Sequence, residues 1–238
     1  MMYLPEPIES ARQIARMMDI SAVRAESSDE RIREVVEAAI RYDCYLVTML
    51  PTQTPYAKSL LAGREFPKVG GNVGFPSGGQ TTRIKALEAQ ELVEMGVDEI
   101  DMVIDVAALI SGHSQRVYED IRAVAQACQG KPLKVILECY YLNEDQIREG
   151  CELAIRAGAA YIKTGSGWAP GGATLENVAL IKACVGERAK IKASGGIRGI
   201  ETLLEMYRRG ATRFGISCAS AARILEAAQK LTYPVRFG

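Results

Sequence analysis

The feature that most constrains the fold of this chain is its regular alternation of short apolar runs with longer amphipathic runs. Eight short runs have the length and residue types of buried β-strands. Strands that alternate with helices in this way pair in parallel, because each crossover returns the chain to the same end of the sheet. The predicted strands are Ile20–Val23, Tyr45–Met49, Val69–Val73, Ile100–Ile104, Leu133–Leu137, Tyr161–Lys163, Ile191–Ala193 and Arg213–Ile216.

Helical periodicity fills most of the gaps between these strands. Gly96, Gly158 and Gly210 each follow a helical run and precede a strand, as C-capping glycines do. The predicted helices are Arg31–Arg41, Thr82–Met95, Ser114–Ala127, Glu144–Ala157, Leu175–Cys184, Ile200–Arg209 and Ala219–Lys230.

The number of repeating units decides between two α/β architectures. Eight units of about thirty residues favour a closed barrel over an open doubly wound sheet, and such barrels typically need roughly 250 residues. The chain has 238 residues. We therefore predict a single (β/α)8 TIM barrel over residues 1–238, with an extra N-terminal helix near residues 7–17 that could cover the bottom of the barrel.

Composition narrows the class of partner. The formal net charge is zero, so we expect neither nucleic acid nor a membrane surface as a general partner. The six cysteines form no CxxC pair, which predicts reduced core thiols. The start of the sequence shows no secretory signal, and no apolar run reaches the roughly 18 to 20 residues of a membrane span. We expect a cytoplasmic protein.

Two lysines lie on short apolar strands that end in polar, glycine-rich loops. Lys163 on the sixth strand and Lys192 on the seventh are twenty-nine residues apart, about one strand–helix unit. Active sites of (β/α)8 barrels lie at the C-terminal ends of the strands, where these lysines would be neighbours. Burial and like charge both disfavour an ammonium ion, so at least one lysine should be neutral near pH 7 and able to attack a carbonyl. The alternative is a pair of surface lysines that cap strand or helix ends.

Further charged residues lie on the fourth and fifth strands. Asp101 precedes Lys163 by two units, so both side chains can share one layer of the barrel interior. A barrel-closing salt bridge is the alternative role for Asp101. Lys134 and Glu138 have the same parity on the fifth strand, which predicts that they join a charged network.

Glycine-rich loops follow the last three strands. Gly171 and Gly172 follow the sixth strand, Gly195 and Gly196 follow the seventh, and Ser217 ends the eighth. Glycine lets the backbone approach an anion closely, and exposed N–H groups at a helix start favour phosphate. Any one of these loops alone could be a plain turn. Together, on adjacent strands, they predict a phosphate site.

Two single residues remain open. His113 is the only histidine and lies on a loop before a helix, so we expect it to face solvent, and a histidine-rich metal site has little support. No metal is predicted. Trp168, inside the glycine-rich loop, could form a wall of the pocket or pin the loop to a neighbouring subunit or helix.

These segments resemble the deoxyribose-phosphate aldolase family, whose members are class I Schiff-base aldolases with a (β/α)8 barrel. The resemblance spans roughly residues 68–222. The motifs that carry it are Gly74-Phe75-Pro76, Asp98–Ile104, Lys134–Glu138, Ile162-Lys163-Thr164, Gly171–Thr174, Lys192–Arg198 and Gly215-Ile216-Ser217.

The resemblance implies specific roles. Lys163 would form the Schiff base, Lys192 would lower the pKa of its neighbour and help to move protons, and Asp101 would take part in proton transfer through water. The implied reaction is the reversible cleavage of 2-deoxy-D-ribose 5-phosphate to acetaldehyde and glyceraldehyde 3-phosphate, without metal or organic cofactor. We also expect a homo-oligomer, since exposed barrel helices often pair subunits. The implied phosphate contacts fall on the loops around Gly172, Gly195, Gly196 and Ser217.

Three departures from the family pattern concern the walls of the site. Asp19-Ile20-Ser21 stands where the family usually has Asp-His-Thr, Thr48 stands where a cysteine is common, and the sequence after Lys163 also differs. Asp19, Thr48 and Lys134 are expected to support the site from behind. The alternatives are a Schiff-base aldolase with a different aldehyde donor or phosphorylated acceptor, and a non-catalytic phosphosugar-binding barrel.

Overall fold

Eight parallel strands, hydrogen-bonded in chain order, close into a barrel in the computed structural model, which describes residues 5–237. All eight predicted strands are present, and their ends differ from the prediction by two residues or fewer. The predicted (β/α)8 architecture is confirmed. The strands are β1 Met18–Ala22, β2 Leu46–Met49, β3 Lys68–Val73, β4 Glu99–Val103, β5 Leu133–Ile136, β6 Tyr161–Lys163, β7 Lys190–Ser194 and β8 Arg213–Ser217.

Helices connect successive strands on the outside of the barrel. The seven predicted helices are present near their predicted bounds, whereas α3 and α5 were not predicted because runs this short show too little periodicity. The helices are α1 Ala11–Ala15, α2 Asp29–Arg41, α3 Thr54–Leu60, α4 Thr82–Glu94, α5 Val106–Ile110, α6 Ser114–Ala127, α7 Glu144–Ala157, α8 Leu175–Val185, α9 Ile200–Arg208 and α10 Cys218–Ala228.

The extra N-terminal helix is shorter than the predicted span of residues 7–17. Ile8 forms an antiparallel bridge with Val235, which keeps this part of the chain extended. The side chain of Ser10 then accepts a hydrogen bond from the backbone N–H of Gln13 and caps α1. The helix packs against α10.

The predicted capping glycines have the expected backbone conformation. Gly96, Gly158 and Gly210 have φ values of +77°, +100° and +108°, in the left-handed region that ends many helices. Each glycine thus turns the chain from a helix into the next strand.

Alternation along the strands separates two environments. Residues such as Ile100, Met102 and Ile162 are fully buried in the apolar core, which includes side chains of the surrounding helices. The intervening residues point into the barrel, and many of them are charged. The charged residues buried there are Asp19, Glu99, Asp101, Lys134, Lys163, Lys192 and Arg213. Among the helices of residues 5–237, none has the length and apolar content that a membrane crossing requires.

Candidate active site

Asp101 on β4 joins the three lysines predicted around it. Its Oδ2 accepts hydrogen bonds from Lys163 Nζ at 2.7 Å and Lys192 Nζ at 2.8 Å. Its Oδ1 accepts one from Lys134 Nζ at 2.6 Å. Lys163 and Lys192 are also direct partners in the register of β6 and β7, so the two amines are close neighbours, as the strand spacing predicts.

A second layer of charges lies beside this group. Asp19 has its Oδ2 2.6 Å from Lys192 Nζ and its Oδ1 2.9 Å from an Arg213 guanidinium nitrogen. Glu99 has its Oε2 2.8 Å from Lys134 Nζ and 3.5 Å from Arg213. The sequence prediction missed Glu99 and Arg213. The available signal was alternation, because Glu99 lies two residues before Asp101 on the same strand and therefore on the same face.

Counting the partners in this network singles out one lysine. Within the described chain, Lys134, Lys192 and Arg213 each form ion pairs with two carboxylates, whereas Lys163 pairs with Asp101 alone. Four cationic side chains thus meet three carboxylates. Loss of one proton balances the charges, and Lys163 is the group with the fewest anions to hold that proton.

The titration of Lys163 follows from this position. Burial is the largest influence and lowers its pKa, the Asp101 charge opposes that shift, and the Lys192 charge adds to it, which leaves a pKa of about 8. The sequence argument expected a neutral lysine near pH 7. A pKa of about 8 instead leaves about one-tenth of Lys163 neutral at pH 7 and half of it neutral at pH 8.

The other members of the network stay charged. Burial alone would raise the pKa of Asp101, but the charges of Lys134, Lys163 and Lys192 outweigh burial and hold that pKa well below its ordinary value. Burial would lower the pKa of Lys134, but the nearby carboxylates, Asp101 foremost, raise it. Asp101 is therefore a carboxylate and Lys134 an ammonium ion at neutral pH.

Lys163 and Lys192 line a cavity of about 450 Å³ at the C-terminal end of the barrel. Asp19 and Thr48 also line it, whereas Asp101 and Lys134 do not belong to its lining and lie behind the two lysines. The cavity residues predicted from the glycine-rich loops all line it as well. They are Gly171, Gly172, Gly195, Gly196 and Ser217.

The loops after β6 and β7 approach each other so closely that only glycine fits. A Cβ atom on Gly172 would lie 2.3 Å from the backbone oxygen of Gly195. Gly195 and Gly196 also have φ values of +89° and +77°. Ser217 caps the N-terminus of α10, which therefore begins at the cavity. Backbone N–H groups at such a helix start favour an anion.

Arginines at the cavity were not identified from the sequence as site residues. Arg24, Arg31 and Arg198 all contribute to its lining. Together with the two lysines they outnumber Asp19, the single carboxylate among the described lining residues. The cavity therefore has an excess of positive charge, which suits a phosphorylated ligand.

Glu138 does not join the lysine network as predicted. Its backbone is left-handed, with φ +57°, at the point where the chain leaves β5. Its carboxylate oxygens instead accept hydrogen bonds from the Ser166 backbone N–H at 3.1 and 3.2 Å. Glu138 thus fixes the loop that follows Lys163.

Trp168 pins this loop to the loop after β1 rather than to a helix. Its indole Nε1 donates a hydrogen bond to the Val23 carbonyl at 3.1 Å, and the Arg24 guanidinium lies 4.9 Å from the ring centroid. The Phe75 ring meets it edge-on. Trp168 is outside the cavity lining, so among its two predicted roles the structure favours pinning, with a different partner.

The described residues hold no cluster of three or more histidine, cysteine or carboxylate side chains placed to bind a metal ion. His113 is exposed on the loop before α6, as expected. The chemistry of the site therefore depends on the amines, carboxylates and backbone groups described above.

Comparisons with known proteins agree with this geometry. Residues 12–222 match the family model of the DeoC/LacD family aldolases. A deoxyribose-phosphate aldolase of Klebsiella pneumoniae is 41% identical over 231 residues, which covers 96% of this chain and 92% of the relative. The chain belongs to the DeoC/LacD family of aldolases.

Further relatives and solved structures support this assignment. The deoxyribose-phosphate aldolase of Sinorhizobium medicae is 44% identical over 214 residues, which covers 90% of this chain and 86% of the relative. The solved aldolase QR15 aligns with a TM-score of 0.83 at 36% identity and covers 90% of this chain and 95% of its own. The deoxyribose phosphate aldolase of Aeropyrum pernix, solved as a tetramer, has a TM-score of 0.85 at 26% identity and covers 94% of each chain.

Proposed function

We propose that this family member is a class I aldolase in which Lys163 forms a Schiff base and which reversibly cleaves 2-deoxy-D-ribose 5-phosphate to acetaldehyde and glyceraldehyde 3-phosphate. One observation carries the proposal. Lys163 faces a positively charged cavity and is the member of a four-cation, three-carboxylate network with one carboxylate partner. The names of its relatives support the choice of substrate.

The covalent cycle begins with the neutral form of Lys163. Its Nζ attacks the C1 carbonyl of the open-chain sugar, and loss of water from the carbinolamine gives an iminium ion. The C3 hydroxyl then loses its proton and the C2–C3 bond breaks. The electron pair of that bond moves into the iminium to form an enamine, and glyceraldehyde 3-phosphate leaves. Protonation of the enamine at C2 and hydrolysis release acetaldehyde and free Lys163.

Lys192 is the proposed proton carrier in this cycle. Its Nζ is held between Asp19 and Asp101, and its side chain reaches the cavity beside Lys163. Asp101 has a strongly lowered pKa, so taking up a proton itself is unfavourable. We therefore assign Asp101 to proton transfer as the group that holds both lysines in place, with Lys134 fixing its other oxygen.

The proposed phosphate site lies at the glycine-rich loops and the start of α10. Gly172, Gly195 and Gly196 leave backbone close to the cavity, and Ser217 places the helix N-terminus there. The Arg198 side chain adds a positive charge to the same lining. These features support binding of a phosphate dianion.

Borohydride trapping tests the proposal. The protein is incubated with 2-deoxy-D-ribose 5-phosphate and borohydride, and the modified residue is located by peptide mass spectrometry. We expect a reduced adduct on Lys163 and no adduct in Lys163→Ala, whose fold is checked by circular dichroism. A folded wild-type protein that binds the sugar phosphate without any adduct or turnover would identify a non-catalytic binding barrel. Turnover with other aldehydes only would identify a different donor or acceptor.

Assembly and location are part of the same proposal. We infer a homo-oligomer, because Ile84 and Leu87 on α4 are 46% and 49% exposed and offer an apolar contact surface. Light scattering that gives the mass of a monomer at micromolar concentration would contradict this. We also infer a cytoplasmic location, since the six cysteines are free and four of them are buried, which fits a reducing compartment.

A further inference from the structure

Asn72 on β3 holds a buried hydrogen-bond acceptor that the proposed mechanism does not use. Within residues 5–237, seven buried side-chain polar atoms have no hydrogen-bond partner in the protein. Of these, Asn72 Oδ1 and Asp19 Oδ2 belong to residues that line the cavity. Asp19 Oδ2 lies 2.6 Å from Lys192 Nζ and so has a charged neighbour. Asn72 Oδ1 has none, although its side chain is almost fully buried.

The orientation of the Asn72 amide is fixed by its neighbours. Its Nδ2 donates hydrogen bonds to the Met49 carbonyl at 2.7 Å and to Thr48 Oγ1 at 2.8 Å. A carbonyl can only accept, so a flipped amide would bring two acceptors together at Met49. Thr48 in turn donates to the Gly70 carbonyl. Oδ1 is therefore the atom left over, and an unpartnered buried acceptor is unfavourable unless something donates to it.

The position of Asn72 in the barrel indicates which part of a substrate it meets. In a closed eight-stranded barrel β3 lies opposite β7, whose loop belongs to the proposed phosphate site. In an open-chain sugar 5-phosphate the carbons farthest from phosphate are C1 and C2. With phosphate at the β7 and β8 loops and C1 bonded to Lys163, the C2 side is directed towards the β2 and β3 wall, where Thr48 and Asn72 lie.

We propose that Asn72 is a specificity-determining residue that accepts a hydrogen bond from a hydroxyl on C2 of the donor, so that the site takes hydroxyacetaldehyde as well as acetaldehyde. This rests on the proposed Schiff-base function. Acetaldehyde has only hydrogen at this carbon and leaves Oδ1 without a donor, whereas hydroxyacetaldehyde supplies one. A site built to hydrogen-bond a hydroxyl discriminates strongly against an analogue that lacks it.

The bond changes are those of the main reaction. Hydroxyacetaldehyde and Lys163 condense to an iminium ion with release of one water, and loss of a C2 proton gives the enamine. The enamine carbon bonds to the aldehyde carbon of glyceraldehyde 3-phosphate, whose oxygen takes up a proton. Hydrolysis consumes one water and releases a pentose 5-phosphate that keeps its C2 hydroxyl.

Two nearly isosteric donors provide the test. Propanal carries a methyl group on C2 where hydroxyacetaldehyde carries a hydroxyl. We define a donor ratio as kcat/KM for hydroxyacetaldehyde divided by kcat/KM for propanal, each with glyceraldehyde 3-phosphate as acceptor. Asn72→Val should lower this ratio about tenfold or more relative to the unmodified protein, because it removes the acceptor. Thr212→Val is the matched control, since Thr212 Oγ1 is also buried and unpartnered but lies outside the cavity lining, and its ratio should stay unchanged.

A direct measurement covers the case in which Asn72→Val does not fold. The unmodified protein is treated with hydroxyacetaldehyde and borohydride, and the crystal structure of the reduced adduct on Lys163 is solved. A donor hydroxyl within about 3.2 Å of Asn72 Oδ1 is the expected result. A hydroxyl directed elsewhere, or a donor ratio that Asn72→Val leaves unchanged, would overturn the proposal and assign Oδ1 to a water molecule.

The outcome for the two proposals is separable. If acetaldehyde and hydroxyacetaldehyde both fail to form an adduct on Lys163, the Schiff-base function itself fails. If both form adducts but Asn72→Val leaves the donor ratio unchanged, only the role of Asn72 fails.

Discussion

Two buried lysines in this molecule have similar surroundings and different consequences. Lys85 on α4 is fully buried and donates hydrogen bonds to Asp120 Oδ2 at 2.5 Å and to the Val103 carbonyl at 3.0 Å. Lys163 is also buried and donates to Asp101 Oδ2 at 2.7 Å. Each lysine therefore has one carboxylate within hydrogen-bonding distance.

The difference lies in how that carboxylate is shared. Asp120 has Lys85 as its ion-pair partner in the described chain, and its other oxygen accepts a hydrogen bond from the Thr82 hydroxyl. Asp101 is shared by three lysines. The first cluster is balanced in charge, whereas the second has one surplus cation. Burial alone does not prepare a lysine for covalent chemistry, because a private carboxylate holds the proton in place.

The largest expected effect comes from removing the lysine of the unbalanced cluster. Lys163→Met should reduce turnover by on the order of 10⁴-fold, as loss of a covalent nucleophile does. It should also raise the free energy of unfolding at pH 7 by about 1–2 kcal/mol, since one unit of pKa shift corresponds to about 1.4 kcal/mol. The pKa of Lys163 is lowered to about 8 in the folded protein, so its charged form destabilises the fold below that pH and the penalty disappears as pH rises towards 10.5.

Urea denaturation at pH 7 and pH 10 measures the stability change, and steady-state kinetics measures turnover. Lys190→Met on the neighbouring strand is the control, because Lys190 is exposed and should alter neither quantity appreciably. A Lys163→Met protein that is markedly less stable at pH 7 would show that Lys163 contributes to the fold in the manner of Lys85.

The corresponding change in the balanced cluster should have the opposite pattern. Lys85→Met leaves Asp120 buried without its cation and should lower the free energy of unfolding by about 3–5 kcal/mol. The kcat/KM of the molecules that remain folded should change less than twofold. Adding Asp120→Leu should recover part of the lost stability. A large fall in kcat/KM at full stability would mean that this pair takes part in the chemistry.

The surplus charge itself can be removed at Lys192. In the unmodified protein, kcat/KM should rise about tenfold per pH unit up to about pH 8 and then level off, because the reactive form of Lys163 is neutral. Lys192→Leu leaves three cations and three carboxylates, so the pKa of Lys163 should rise and the profile should shift to higher pH. The pH dependence of kcat/KM checks this. A slower enzyme with an unmoved midpoint would keep Lys192 as a proton carrier and reject its charge effect.

The smallest expected effect concerns the loop that follows Lys163. Trp168→Leu removes the indole hydrogen bond to Val23 and the contact with Arg24, each partly exposed, and should raise KM about two- to fivefold with little change in kcat. Arg24→Gln removes one side of the same contact. The double variant should therefore be less impaired than the product of the two single effects. Fully additive effects would show that the two residues act separately.

Local sequence patterns were sufficient for the elements but not for every partner. The strand ends were predicted within two residues because short apolar runs and helical periodicity alternate cleanly. Glu138 was assigned to the lysine network by its parity on β5, yet a left-handed residue at the strand end turns it towards Ser166. Helix α3 was missed because seven residues show too little periodicity.

What the sequence determined by itself is the barrel and the adjacency of its two reactive amines. One strand–helix unit separates Lys163 from Lys192, and in a parallel barrel that spacing alone makes them neighbours. Only the tertiary structure decided which lysine has the fewest carboxylates and which way the Asn72 amide faces. Those properties depend on side chains far apart in the chain, such as Arg213 and Glu99, 114 residues apart, whose separation no local pattern encodes. Charge balance is a property of the closed barrel as a whole, and it exists only once all the strands are in place.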